Sequence, residues 1–244
     1  MPARHDFTPR RLAAALALLT ASTASTTMAQ GMLEEVVVTA AKRQQTLQEV
    51  PVAVSVVTSE SIEQAQVLDI KDLQTLVPSL RVTQLQGSAQ TNFIIRGFGN
   101  GANNVGIEPS VGVFIDGVYR SRSAAQISDL PNLQRVEVLR GPQSTLFGKN
   151  ASAGVISIVT RKPQFETQGG LEATFGNFNT VRLKGDLTGP LSETVAYSIA
   201  GNLNKRDGYA EDLNTGALTN ERNRWGLRGE LLFTPSETLE ARLI

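Results

Sequence analysis

The sequence predicts an α+β domain, a mixed sheet with short helices, followed by antiparallel strands that each carry one apolar and one polar face. Three observations support this. Residues 133–162 place two alternating runs, Arg135–Leu139 and Val155–Thr160, on either side of a connector punctuated by Gly141-Pro142 and Gly148. Upstream, β-branched runs alternate with short helical patterns. After Pro163 the texture changes to two-faced strands of about ten residues.

Composition limits the function classes. The 244 residues carry 23 basic and 23 acidic side chains, so charge balance gives no argument for a nucleic-acid partner. There is no cysteine, and the single histidine is His5. Without His or Cys beyond a leader, neither a Ser-His-Asp triad nor a common zinc site can be built. Carboxylate-only catalysis survives on paper, but the expectation is a protein that is not an enzyme and needs no metal or cofactor.

The chain opens with Arg4, Arg10 and Arg11 before the apolar run Leu12–Leu19, then small residues up to Ala29. This is the pattern of a secretory signal peptide over residues 1–29. The run is too short to span a bilayer, which takes about 20 residues. Cleavage there leaves 20 basic and 22 acidic residues.

Directly afterwards, Leu33, Glu34, Glu35, Val36, Val37, Val38, Thr39 and Ala40 form an acidic pair leading into a β-branched run with no partner strand beside it. Two readings stand: the first strand of the following domain, or an edge offered to another protein by β-augmentation. Residues 41–46 read as a polar linker.

Val50–Thr58 is a strand run, Ser59 a plausible helix N-cap, and Asp69–Val77 a second short helix, with Ile70, Leu73, Leu76 and Val77 on one face and Pro78 as stop. Strands follow near Leu80–Gln84 and Thr91–Arg96. The loop Phe98–Pro109 is rich in Gly and Asn, but its spacing misses both dinucleotide and Walker A phosphate loops.

Beyond Pro163, Gly170–Gly176, Thr180–Leu187, Val195–Leu203, Arg224–Phe233 and Leu239–Ile244 alternate apolar with polar residues. A transmembrane β-barrel and a soluble β-sandwich share this period. Connector lengths alternate: the turns near 189–194 and 235–238 are short and the one near 205–222 is long.

The stretch VEVLRGPQSTLFGKNASAGVISIVTRKP resembles the closing segment of the plug domain of TonB-dependent outer-membrane receptors. Ile95–Gly99 (IRGFG) and Val113–Val118 (VFIDGV) resemble the same family's upstream plug motifs, in the family's order. The resemblance implies a plug over residues 47–163 and, over 164–244, the first four or five strands of an antiparallel transmembrane β-barrel. Such a barrel has about 22 strands, so the chain is expected to be a fragment.

Residues 33–40 then resemble the TonB box, the peptide engaged by TonB and its inner-membrane energising complex, with 30–46 as box and linker. Few residues separate it from the leader, which leaves no room for a signalling domain. In the family, arginines of the IRGF and LRGP motifs pair with acids of the barrel wall. That implies plug–barrel charge pairing for Arg96 and Arg140, with Glu137 in the same group and the partners beyond Ile244. Asn100, Asn103, Asn104, Tyr119, Arg120 and Arg122 become candidates for the ligand-facing edge, with ordinary solvated turns as the alternative. The implied function is TonB-driven uptake across the outer membrane of a Gram-negative bacterium, most often of a ferric siderophore. A passive porin or adhesin barrel, or a plug-only periplasmic binding module, are the other readings.

Overall fold

The computed structural model describes residues 37–39, 42–43, 45–65, 67, 70–85, 90–100, 106–122 and 132–244. The predicted leader, residues 33–36 and 40 of the candidate partner segment, and Asn103 and Asn104 lie outside the described residues.

A five-stranded mixed sheet forms the first half. Its strands are β3 (Val54–Thr58), β6 (Val111–Ile115), β7 (Val118–Tyr119), β8 (Leu133–Arg140) and β9 (Gly154–Thr160), in the order β3-β8-β9-β6-β7. Only β6 and β9 run parallel. Period-two alternation splits β8 cleanly. Val136 and Val138 enter one core with Val113, Ile156 and Ile158, while Leu139 joins Phe114 and Val155 on the opposite face. Strand β6 is buried throughout, as a strand covered on both faces should be.

The first core is closed by helix α1 (Ser59–Gln64), a 3-10 turn at Ile70–Thr75, and the hairpin of β4 (Leu80–Gln84) and β5 (Thr91–Ile95). The cap of α1 is Thr58, one residue earlier than expected. Its hydroxyl accepts from the Ser61 N–H at 3.3 Å, while the Ser59 hydroxyl donates to Glu60. The Glu60 carboxyl is held below its ordinary value by its own backbone N–H and the hydroxyls of Thr58 and Ser59. The segment expected as a second helix tightens to 3-10 geometry, with Ile70, Leu73 and Val77 still buried.

The second core is closed by the N-terminal segment. Strand β1 (Val37–Val38) pairs with β2 (Gln45–Thr46), and Val38 packs fully buried with Val50, Phe114, Leu139, Ala151 and Val155. Phe147 of the one-turn helix α2 (Ser144–Phe147) meets Phe114 edge-on at 5.0 Å.

The second half is one antiparallel sheet in the order β10 (Gln168–Gly176), β11 (Thr180–Pro190), β12 (Val195–Arg206), β15 (Arg222–Ser236), β16 (Leu239–Leu243). The long connector contains a small hairpin of its own, β13 (Ala210–Glu211) with β14 (Leu218–Thr219). Leu171, Phe175, Ile199, Trp225 and Leu227 project outward, Leu171 with 85% and Trp225 with 78% of their surface exposed. The alternate face carries Thr188, Ser198, Ala200, Glu230 and Leu232, all buried. That face lies against the mixed-sheet domain. Thr188 Oγ1 accepts from the Gln164 N–H at 2.8 Å, and Asn132 Nδ2 reaches Ser198 Oγ at 3.3 Å. Among the described residues no helix is long and apolar enough to cross a membrane, which says nothing of crossing by strands.

Candidate functional site

Three places combine polar side chains from distant parts of the chain. The first joins the two halves. Strands β6 and β7 are connected by Asp116-Gly117, both with positive φ, the signature of a two-residue type I′ hairpin turn. The turn delivers the Asp116 carboxylate to the end of β9. There it accepts from the Thr160 N–H at 3.0 Å and the Thr160 hydroxyl at 2.9 Å. From the second sheet, Arg228 donates to Asp116 and to Glu230. Arg242 donates to Glu230 Oε2 at 2.6 Å and to Thr160 Oγ1 at 2.8 Å, and lies 3.5 Å from Asp116 Oδ1. Two carboxylates and two guanidinium groups thus close a neutral cluster. Asp116 and Glu230 are almost completely shielded and the arginines largely so. Burial of four charges is tolerable only because each has opposite partners and directed hydrogen bonds.

The second place lies inside the mixed-sheet domain. Glu137, grouped at first with plug–barrel pairing, is 0% exposed within the mixed-sheet domain. It accepts from Arg135 Nε at 2.7 Å, from the Thr39 N–H at 2.9 Å and from the Thr39 hydroxyl at 3.2 Å. Its position in β8, opposite Val56 and Ser157, turns it to the second core, where the N-terminal segment sits. Nor is Val37–Val38 an orphan edge, because β2 supplies the partner strand that the sequence pattern lacked.

The expected arginines are not brought together with these groups. Arg140 Nε is buried without a hydrogen-bond partner among the described residues. Arg96 is exposed in left-handed geometry, its N–H bonded to the Ser79 carbonyl at 2.9 Å.

The third place is a polar rim. Asn100 Nδ2 donates to the Glu108 carbonyl, and Lys149 Nζ pairs with Glu108 Oε1 at 2.6 Å. Asn150 Nδ2 donates to the Tyr119 hydroxyl at 2.6 Å. Of the candidate ligand residues, Asn100 meets Glu108, which also pairs with Lys149, and Tyr119 meets Asn150. Arg120 continues β7, its N–H bonded to the Val113 carbonyl at 2.8 Å, and Arg122 is exposed beyond it. Among the described residues, no group of three His, Cys, Asp or Glu side chains could hold a metal ion.

Comparison with known proteins agrees with this architecture. The family model described as TonB-dependent Receptor Plug Domain matches residues 46–155. The iron-regulated outer membrane virulence protein of Vibrio cholerae serotype O1 is 34% identical over 224 residues, covering 84% of this chain and 32% of the relative. The ferrioxamine B receptor of Salmonella typhimurium is 31% identical over 157 residues, covering 63% and 22%. The chain thus spans about a third or less of the length of these curated relatives. Among solved structures, the ferric yersiniabactin uptake receptor FyuA from Yersinia pestis superimposes with a TM-score of 0.69 at 27% identity, over 76% of this chain and 29% of that one. The pyoverdine outer membrane receptor FpvA from Pseudomonas aeruginosa gives 0.70 at 21% identity, over 84% and 29%, a likeness of fold.

Proposed function

The chain belongs to the TonB-dependent receptor family through its plug domain, and on that premise we propose that it serves energised uptake of a ferric siderophore across the outer membrane. The observation that carries this reading is the two-sidedness of the second sheet. One face exposes Leu171, Phe175, Trp225 and Leu227, and the other is bonded to the plug through Ser198 to Asn132 and Arg228 to Asp116. A barrel wall with lipid outside and a plugged lumen inside requires that arrangement. The names of the relatives, which are iron-regulated, ferrioxamine B and yersiniabactin receptors, support a siderophore as the cargo.

In this reading the ligand is met at the rim of Asn100, Tyr119, Arg120 and Arg122. TonB takes residues 33–40 as an added strand, because backbone hydrogen bonds to an extended segment give affinity without a pocket. Pulling on that segment rearranges the plug and opens a path. Arg96 and Arg140 are assigned to acidic partners on barrel strands outside this chain. The ligand brings its own metal coordination, so the protein needs no resident metal.

The test is uptake of radiolabelled ferric siderophore by cells producing the full-length protein, with and without a protonophore. Surface binding that persists while uptake is lost, both with the protonophore and on deletion of Glu34–Thr39, supports the reading. Uptake insensitive to both points to a passive channel.

A further inference from the structure

We infer that Phe178, Tyr209 and Arg206 form a binding site at the loop end of the second sheet for an anionic, aromatic chelate, with a ferric catecholate as the fitting class. The side chains come from two neighbouring connectors. Phe178 lies in the turn from β10 to β11 and Tyr209 in the long connector after β12, with ring centroids 5.7 Å apart. The guanidinium carbon of Arg206 lies 4.8 Å from the centroid of the Tyr209 ring. Both rings stay about half exposed, Phe178 at 55% and Tyr209 at 53%. Each therefore keeps a free aromatic surface.

The turn that carries Phe178 is strained. Phe178 and Asn179 both have positive φ, 58° and 51°. Asparagine tolerates that region, whereas a bulky side chain rarely enters it. Such strain persists only where the surroundings over-determine it. Here the Asp207 N–H donates to the Phe178 carbonyl at 2.9 Å, and Asn179 Nδ2 donates to Asp207 Oδ2 at 2.6 Å. These bonds tie the two connectors together. An exposed phenyl ring is thus held where glycine would sit without strain.

Arg206 supplies the charge. Its Nη2 donates to the Asn220 carbonyl at 2.8 Å, which together with the Tyr209 ring fixes the guanidinium plane. Its Nε is buried with no hydrogen-bond partner among the described residues, so the protein leaves this cation under-satisfied. Exposed rings near the end of a barrel wall ordinarily form a belt towards lipid. Arg206 points the other way. It lies opposite Arg222 and shares its face with the buried Ser198 and Ala200, whereas Leu203 and Trp225 occupy the outward face.

Tilted rings favour another π face, and a guanidinium fork favours a pair of oxyanions. A catecholate joins both features in one group, an aromatic ring with adjacent anionic oxygens, and its ferric complex keeps a negative charge. Because the bonds between the connectors already fix the rings, little ordering is left for the ligand to impose. The inference rests on the proposed uptake function, which puts these two connectors outside the cell.

The experiment uses the full-length protein in intact cells, with ferric enterobactin as the catecholate probe. Ferrioxamine B, an aliphatic hydroxamate complex with a positive charge, is the counter-probe. Phe178→Gly relieves the backbone and removes the ring. Its thermal midpoint in detergent should hold or rise while the Kd for ferric enterobactin rises roughly fivefold, the size of one lost aromatic contact. Arg206→Gln should raise that Kd by about tenfold, an effect that shrinks at high salt. Neither variant should weaken ferrioxamine B.

Ferric enterobactin binding that neither variant alters overturns the site. So do equal losses for both probes with a lowered midpoint, because the loop end would then simply have come apart. No catecholate binding by the wild type overturns it as well, and protonophore-sensitive uptake of ferrioxamine B would then leave the uptake reading standing. Catecholate binding weakened by both variants, with uptake insensitive to a protonophore, upholds the site and defeats energised uptake.

Discussion

Asp116 of the plug and Arg228 of the wall form an ion pair across 112 residues of sequence, and Glu230 and Arg242 complete the cluster around them. The pair joins a hairpin turn to a strand in the other half of the chain, so it measures the docking of one on the other. Removing Asp116 leaves two arginines facing one carboxylate, both shielded from water.

Asp116→Ala is therefore expected to destabilise the docked plug by about 3 kcal/mol, the cost of leaving a buried charge unpaired. In Asp116→Ala/Arg228→Ala the loss should be smaller than the sum of the single effects, because two opposite charges leave together. Denaturant midpoints of the full-length protein in detergent, read for all four members of the cycle, give the coupling. Additive losses would show that the two charges do not sense each other.

Gly154 opens β9 with no room for a side chain. A Cβ there would lie 2.5 Å from the Leu139 carbonyl oxygen and 2.6 Å from Ile95 Cδ1. The oxygen belongs to the neighbouring strand and cannot move without parting β8 from β9. Gly154→Ala should cost about 2 kcal/mol by overpacking. Gly117→Ala meets open space and should cost about 1 kcal/mol through its positive φ alone. The same midpoints compare them, and Gly154→Ala should also raise the protease sensitivity of the plug.

Val37→Pro removes a backbone N–H from the segment proposed to pair with TonB. Energised uptake should fall to the level seen with a protonophore, while surface binding of the siderophore stays at wild-type level. Normal transport by this variant would remove residues 33–40 from the role assigned to them.

Asp212 organises the turn between β13 and β14 by accepting from the Asn214 N–H at 2.8 Å and the Thr215 N–H at 3.1 Å. These backbone donors hold its carboxyl below the ordinary 3.8. A lowered folded value means that the stabilisation is complete above that ordinary value and is lost as pH falls through the folded one. Limited proteolysis of the 212–216 turn should thus be pH-independent from neutrality down to about pH 4 and accelerate below it. Asp212→Asn should weaken the turn while flattening the response.

What was legible in the sequence was whatever repeats locally. Alternating or β-branched runs located β3, β8 and β9 of the mixed sheet and the five strands of the second sheet to within a few residues, because alternation is imposed by the pleat itself. Strand β6, buried on both faces, carries no such alternation. Pro78 and Gly141-Pro142 marked stops for the same local reason. Partner choice was not legible. Glu137 sits in a motif that suggested the barrel, yet beside Arg135 its donors are the N–H and hydroxyl of Thr39, 98 residues upstream, and no local pattern encodes that distance. Asp116 stood in the sequence only inside the VFIDGV motif, and nothing near it announces Arg228. The Thr58 cap was missed because Thr58 and Ser59 can both cap, and the choice follows from where β3 ends.

The pairing order within the plug sheet also governs when it can form. β3 closes on β8 some 80 residues later, and β6 closes on β9 some 40 residues later. Every long-range ladder thus waits for the segment between Leu133 and Thr160. As the chain emerges from its N-terminus, the early strands have only their own hairpins and turns to make, and the loop-closure cost of the rest falls due at once. The plug sheet therefore cannot close until its last strand has arrived.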